Sequence, residues 1–171
     1  GDVQPVQFEL PDVDAALEAE IESGSELGQA ITEACEAGKM ITKKQKDQCV
    51  QSACGRDAAS SALEGFNFAI EGSFQVFGLS TQHHIICYCR SHGGMAEGSV
   101  TKGRTTHLLV GDCDQGFDGL VPTLPQSGDV NNANKWEKPI VHWGFVNALA
   151  VAFEDKEDVD AAEFACVVGD E

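Results

Sequence analysis

Apolar positions follow two different rhythms along this chain, and the change comes near residue 62. Before it the spacing is helical. Val13, Leu17 and Ile21 recur at i, i+4 and i+8 behind Asp12, a residue suited to cap a helix N-terminus. Ser23-Gly24-Ser25 interrupts this stretch, and Leu27, Ile31, Ala34 and Cys35 form a second amphipathic segment closed by Gly38. Thr42 opens a third, which carries Lys43, Lys44 and Lys46 and continues through Cys49, Val50 and Ala53, running or restarting toward Leu63. Residues 1–11 hold Pro5 and Pro11 and read as an extended arm. Short helices with thin stripes are marginal alone in water, so these must pack on the rest of the chain, on each other or on a partner.

From Ala62 onward strands and helices alternate. Leu63 to Gly72 alternates apolar with polar or small residues and reads as a strand with its exit turn. Ser73 to Gly78 is a loop with Phe74, Val76 and Phe77 to bury, and Ser80 is placed to cap a helix through Ile85, Ile86, Cys89 and His92. Gly93-Gly94 stops that helix, because a left-handed C-cap costs glycine no side-chain clash. Met95–Val100 and Thr106–Val110 read as strands two and three, separated by the donor-rich turn Thr101-Lys102-Gly103-Arg104. A long loop, Asp112 to Gly128, precedes a short helix over Asp129–Lys138 with Ala133 and Trp136 inward. Pro139-Ile140-Val141 is a fourth strand, and Trp143 to Phe153 a closing helix with Phe145, Val146 and Leu149 as its apolar face. Glu154 to Asp160 is an acidic turn, and Phe164–Val168 an apolar tail with the makings of one extra strand. The order β-α-β-β-α-β-α predicts an α/β fold with a four-stranded parallel sheet covered by helices on both faces, preceded by a helical extension.

Charge narrows the partners. The chain of 171 residues carries 11 basic and 28 acidic residues, a formal net charge of −17. Such a field repels phosphate backbones and anionic lipid, so direct nucleic-acid or membrane-surface binding is not expected, and a protein partner with a basic surface fits better. No apolar run approaches the roughly 20 residues a bilayer span needs. Seven cysteines, an odd number, exclude complete internal pairing and point to a reducing compartment. The first residue, Gly1, fits either removal of a leader or a fragment of a longer chain.

Three motifs in this second part act together. They are Leu63-Glu64-Gly65 before the first strand, Gly93-Gly94 after the first helix, and Thr106-His-Leu-Leu-Val110 in the third strand. With Ile140-Val141 and an aromatic in the last helix, they resemble the BRCT domain family over about residues 62–153, leaving 1–61 as an acidic helical arm and 154–171 as an acidic tail. One departure is that the family's tryptophan in the last helix falls on Phe145, with Trp143 two positions earlier. The resemblance implies a non-enzymatic adaptor, commonly nuclear and serving DNA repair, replication or checkpoint assemblies. It also implies a phosphate pocket built from a Ser or Thr before the glycine that ends strand one, a backbone amide there, and a Lys early in helix two. Here those positions hold Glu71, beside Gly72, and Asp129. Carboxylates offer no donor, and two like charges about 4 Å apart cost several kcal/mol in a surface-type dielectric. Ser73 and, one turn beyond Asp129, Lys135 are the remaining donors near the pocket, and Lys102 and Arg104 offer a basic turn whose plain reading is a solvated hairpin. Two further readings are an accessory subunit of a large complex, in an organelle if a leader is removed, and a binder of DNA 5′-phosphate ends.

Other chemistry is thinly supported. His83, His84, Cys87, Cys89 and His92 crowd one predicted helix, with His83 and Cys87 one turn apart, but no second ligand pair stands at zinc spacing and no acid is placed to orient a Cys–His nucleophile. Their ordinary reading is core cysteines with surface histidines. Asp112–Gly119 is rich in acids and glycine, yet its glycine is misplaced for a calcium loop and position twelve is Thr123. No glycine-rich phosphate loop or nucleophile elbow is present, so no cofactor, metal or catalytic activity is expected.

Overall fold

The computed structural model describes residues 8–72, 79, 81–111, 123–124, 127–152 and 159–168. Three helices come first: α1 (Val13–Ser23), α2 (Glu26–Glu36) and α3 (Lys43–Arg56). Each starts where a short polar side chain can satisfy a free backbone amide. Asp12 accepts from the Ala15 amide and Ser25 from Gly28, while Thr42 and Gln45 form a reciprocal capping box. Gly24 ends α1 in the left-handed region.

The alternating part follows as β1 (Asn67–Glu71), α4 (Gln82–Ser91), β2 (Met95–Glu97), β3 (His107–Val110), β4 (Thr123–Leu124), α5 (Gly128–Lys135), β5 (Ile140–His142) and α6 (Trp143–Ala152). A 3-10 turn (Ala161–Phe164) and β6 (Val167–Val168) close it. The main sheet is four-stranded, ordered β2-β1-β3-β5, and every pairing is parallel. The expected α/β architecture with helices on both faces is therefore the observed one.

The strand period of two explains why both faces are buried. Phe68, Ile70, Leu109 and Val141 point to one face, where α4 and α6 supply Ile85, Tyr88, Cys89, Trp143, Phe145, Val146 and Leu149. Ala69, Leu108, Val110 and Ile140 point to the other, where α5 supplies Val130 and Ala133 and the tail supplies Cys166. Trp143 and Phe145 are both buried, so the last helix fills its layer with two aromatics instead of one. A third cluster joins Ala16, Ile31, Cys49, Val50, Ala53 and Cys54 to Cys87 of α4. The helical extension thus packs on the outer side of α4.

Several expectations need correction. The first strand starts at Asn67, because residues 62–65 form a turn that buries Leu63 under the Gly93-Gly94 corner. A Cβ on Gly94 would stand 2.8 Å from the Leu63 side chain, and Gly93 has φ +82°, so glycine is needed there for space as well as for conformation. Helix α4 is capped by Thr81, whose hydroxyl accepts from the His84 amide. Ser80, like Ser73, Phe74, Val76 and Phe77, lies outside the described residues, as does Asp112–Gly119. Helix α5 ends at Lys135, with Trp136 as its C-cap, because the chain turns left-handed at Glu137, φ +55°. The stripe Val13–Leu17–Ile21 is only partly inward: Leu17 is half-buried against the third cluster, but Ala16 and Glu20 are the buried residues of α1, and Val13 and Ile21 remain 40% and 41% exposed. The basic turn is no hairpin, since β2 and β3 pair with β1 on opposite sides and parallel strands require a crossover.

Candidate functional site

The carboxyl end of a parallel sheet is where open α/β folds present their ligand-binding groups. Here register brings Glu71, Val110 and His142 into a row at that end. Gly111 donates its amide to the Glu71 carbonyl at 3.0 Å, and Gly72, φ +88°, turns the chain away. The Glu71 carboxylate then meets the N-terminus of α5. Ser127, the N-cap, donates its hydroxyl to Glu71 Oε1 at 2.5 Å and accepts from the Val130 amide at 3.2 Å. A helix N-terminus attracts negative charge through its free amides and its dipole. In this chain the negative charge delivered to that end of α5 comes from the protein itself.

Asp129 sits in the first turn of the same helix but faces elsewhere. Its Oδ1 accepts the Val100 amide at 3.1 Å, tying the crossover segment to α5. Glu71 and Asp129 are thus gathered around one helix end, each engaged with a different neighbour. Lys135, expected one turn beyond Asp129, stands at the opposite end of α5, six residues and roughly 9 Å of helical rise away, and is exposed. Lys102 and Arg104 lie on the crossover turn, which Thr101 and Thr105 close by mutual hydrogen bonds with Thr105 buried. Arg104 pairs with Glu97 at 3.3 Å, and Lys102 is exposed. The structure brings Glu71 and Asp129 to one end of α5, with Gly72 beside Glu71; Lys135 is at the other end, Arg104 is engaged by Glu97, and Lys102 is on the turn that follows the Val100 amide held by Asp129. Ser73 lies outside the described residues. Ser127 is the participant that sequence reasoning missed; its signal was a serine followed by Gly128-Asp129 at a helix start.

Among the described residues no group of three or more His, Cys, Asp or Glu is placed to hold a metal ion. Nor are the histidines surface groups. His83 Nδ1 pairs with the Gln51 amide at 3.0 Å and Nε2 lies 3.6 Å from Asp47, both on α3. His84 Nε2 donates to the Phe8 carbonyl at 2.9 Å, and its ring lies against the Phe8 ring. His92 Nδ1 meets the Ser60 hydroxyl at 2.6 Å. Each histidine fastens a different part of the extension to α4. Burial holds the imidazoles of His83 and His92 below their usual pKa, with Asp47 opposing the effect at His83.

Asp47, His83 and Cys87 do lie in sequence across α3 and α4, with Cys87 Sγ 3.8 Å from His83 Nδ1. Cys87 is fully buried, and its thiol is raised by its hydrogen bond with Cys54 and by burial. Burial likewise pushes Cys89 up to about 12. Thiols in this state stay protonated at neutral pH, so these groups present no accessible nucleophile. The groove beside Asp47 and His83, of about 460 Å³, is also lined by Lys43 and Gln51 and by neither cysteine, and Lys43 is already paired with Asp47 at 2.8 Å.

No protein-family model and no curated protein matches the chain. Among the described residues no helix is long and apolar enough to cross a membrane.

Proposed function

We propose that this chain is a non-enzymatic, BRCT-like adaptor that binds a protein partner through surface shape and charge, with its phosphate-pocket positions closed. The parallel sheet in the order β2-β1-β3-β5, with α4 and α6 on one face and α5 on the other, supports the BRCT-like reading. One observation carries the functional reading: the Glu71 carboxylate occupies the N-terminus of α5 and takes the Ser127 hydroxyl, where the resemblance implies that a phosphate would be held. A dianion arriving there meets a fixed negative charge instead of a donor, and the whole-chain charge of −17 adds to the repulsion. A partner with a basic surface meets the opposite field and is drawn in by it.

The test is calorimetric titration of a phosphopeptide, its unphosphorylated twin and a 5′-phosphorylated duplex into the wild-type chain and into Glu71→Ser. Wild type is expected to give no saturable heat with any of the three. Glu71→Ser frees Ser127 and the α5 amides and is expected to gain phosphate-dependent affinity. Asp129 is left in place because it holds the Val100 amide. Saturable micromolar binding of either phosphorylated ligand by wild type would overturn the proposal.

A further inference from the structure

The first 38 residues contain ten Asp or Glu and no Lys, Arg or His. Most of this segment forms α1 and α2, whose mutual packing is unusually close for a pair of short helices. Gly28 lies on Glu20: a Cβ there would be 2.3 Å from the Glu20 carbonyl oxygen, so no other residue allows the approach. Glu20 itself is buried, accepting from Ser25 Oγ at 2.7 Å and pairing with Arg56 of α3 at 2.9 Å. These contacts turn Ala16 and Glu20 inward, with Leu17 half-buried beside them, and leave Val13 and Ile21 of α1 at the surface. Leu10, Val13 and Ile21 are each 40–41% exposed. Val13 and Ile21 are separated by roughly 12 Å, just over two helical turns. Beside Ile21 the α1–α2 pair encloses a cleft of about 200 Å³, also lined by Gly28, Gln29, Thr32 and Glu33. Glu33 lines it, and Asp14, Glu18, Glu22 and Glu26 of the same two helices are exposed.

We infer that the α1–α2 face is a docking surface for a lysine- or arginine-rich amphipathic helix of a partner protein, with one aliphatic side chain of that helix seated in the cleft beside Ile21. The inference rests on the adaptor reading and gives it a place on the molecule. Charge complementarity selects the occupant. A helix carrying basic residues on either side of an apolar ridge matches an apolar stripe bordered by carboxylates, and helix-on-helix docking uses anchors at this spacing. A second copy of this chain would bring the same acidic border against itself. The geometry needs no rearrangement, because the Gly28 contact and the Glu20–Arg56 pair already hold α1 and α2 in place.

The experiment uses the full chain, labelled with ¹⁵N, and a synthetic lysine-rich amphipathic helical peptide as probe. Fluorescence anisotropy of the labelled peptide reports affinity, and amide shift changes report the surface. Saturable binding that weakens with salt, with shifts concentrated in residues 10–33, is the expected result. Val13→Ser with Ile21→Ser, both at exposed positions, should weaken binding by about tenfold. Thr32→Trp, which fills the cleft, should do the same without altering charge. Shifts centred on other elements, or unchanged affinity in both variants, overturn this surface while leaving the adaptor reading intact. Absence of binding up to about 1 mM overturns it as well. A dimer by equilibrium sedimentation that Ile21→Ser dissolves assigns the face to self-association and also overturns it. Phosphate-dependent binding in the preceding titration would instead remove the adaptor reading itself.

Discussion

Phe68, Leu63, Leu79, Trp143 and Phe145 fill the layer between the sheet, α4 and α6. On the other side of α4 the cluster consists of Ala16, Ile31, Val50, Ala53 and three cysteines, Cys49, Cys54 and Cys87. Side chains of the first kind remove large apolar areas from water, and their contribution scales with volume. Those of the second kind are mostly small, Ile31 apart, and their larger neighbours Leu17, Leu27 and Ile41 are only partly buried, so the helices approach closely but gain less from burial. What the outer layer lacks in apolar area it makes up in directed polar contacts: His83 to Gln51, His84 to the Phe8 carbonyl, His92 to Ser60, and Glu20 to Arg56. One α-helix therefore has two unlike neighbours. It is held on one face by bulk and on the other by geometry.

Removing bulk should have the largest effect. Phe68→Ala leaves a void among Phe66, Phe145 and His107 and is expected to cost about 3–5 kcal/mol, seen as a lower urea midpoint with all helical signal lost in one transition. A separate early loss of helix would mean that the outer layer does not depend on the sheet core.

Acid should act next. His107 stands within 6 Å of the ring centres of Phe66, Phe68 and Phe145, and burial holds its pKa at about 4. The unfolded chain takes up this proton near pH 6.5, whereas the folded chain refuses it until about pH 4. Stability contributed by the neutral ring is complete above pH 6.5 and is lost as pH falls toward 4, by about 1–2 kcal/mol once partial solvent screening is allowed for. His107→Phe should flatten that part of the pH profile in chemical unfolding. An unchanged slope would show that His107 is not the source.

The smallest effect belongs to the outer layer. Arg56→Ala leaves the Glu20 carboxylate with only the Ser25 hydroxyl, but the Arg56 side chain is 39% exposed, so the cost should be about 1 kcal/mol. Hydrogen exchange should quicken in α1 and α2 while β1 and β3 keep their protection. Equal acceleration everywhere would erase the distinction between the two layers.

These two regions also differ in how well the sequence announces them. The sheet was legible because strand alternation in Asn67–Glu71 and the apolar run His107–Val110 are local signals. The caps at Asp12 and Thr42 were legible for the same reason. The stripe on α1 misled at Val13 and Ile21, though not at Leu17, because large aliphatics mark an inward face only where bulk governs packing. Here Ala16 and Glu20 went inward, since small residues permit close approach and Arg56 compensates the charge. The α4 histidines found partners 32 and 76 residues away, and Glu71 found Ser127 at a distance of 56. No local period records such pairs. Candidate pocket positions could be named from the motifs, but which neighbour each carboxylate takes could not.

The C-terminal segment has a role that its thin apolar character does not advertise. Ala165 bridges Val141, and the Cys166 amide donates to the Ile140 carbonyl at 2.9 Å, so the outer border of β5 is occupied. The opposite border is β2, only three residues long. A parallel sheet left open at a flat margin can recruit further strands from neighbouring molecules. This one offers a foreign strand little to copy, because Ala165 and Cys166 have already claimed the more inviting side. Shortening the protein to residue 158 would uncover that border and strip Phe164 and Cys166 from the two core layers, so the cost would fall on solubility and folding together.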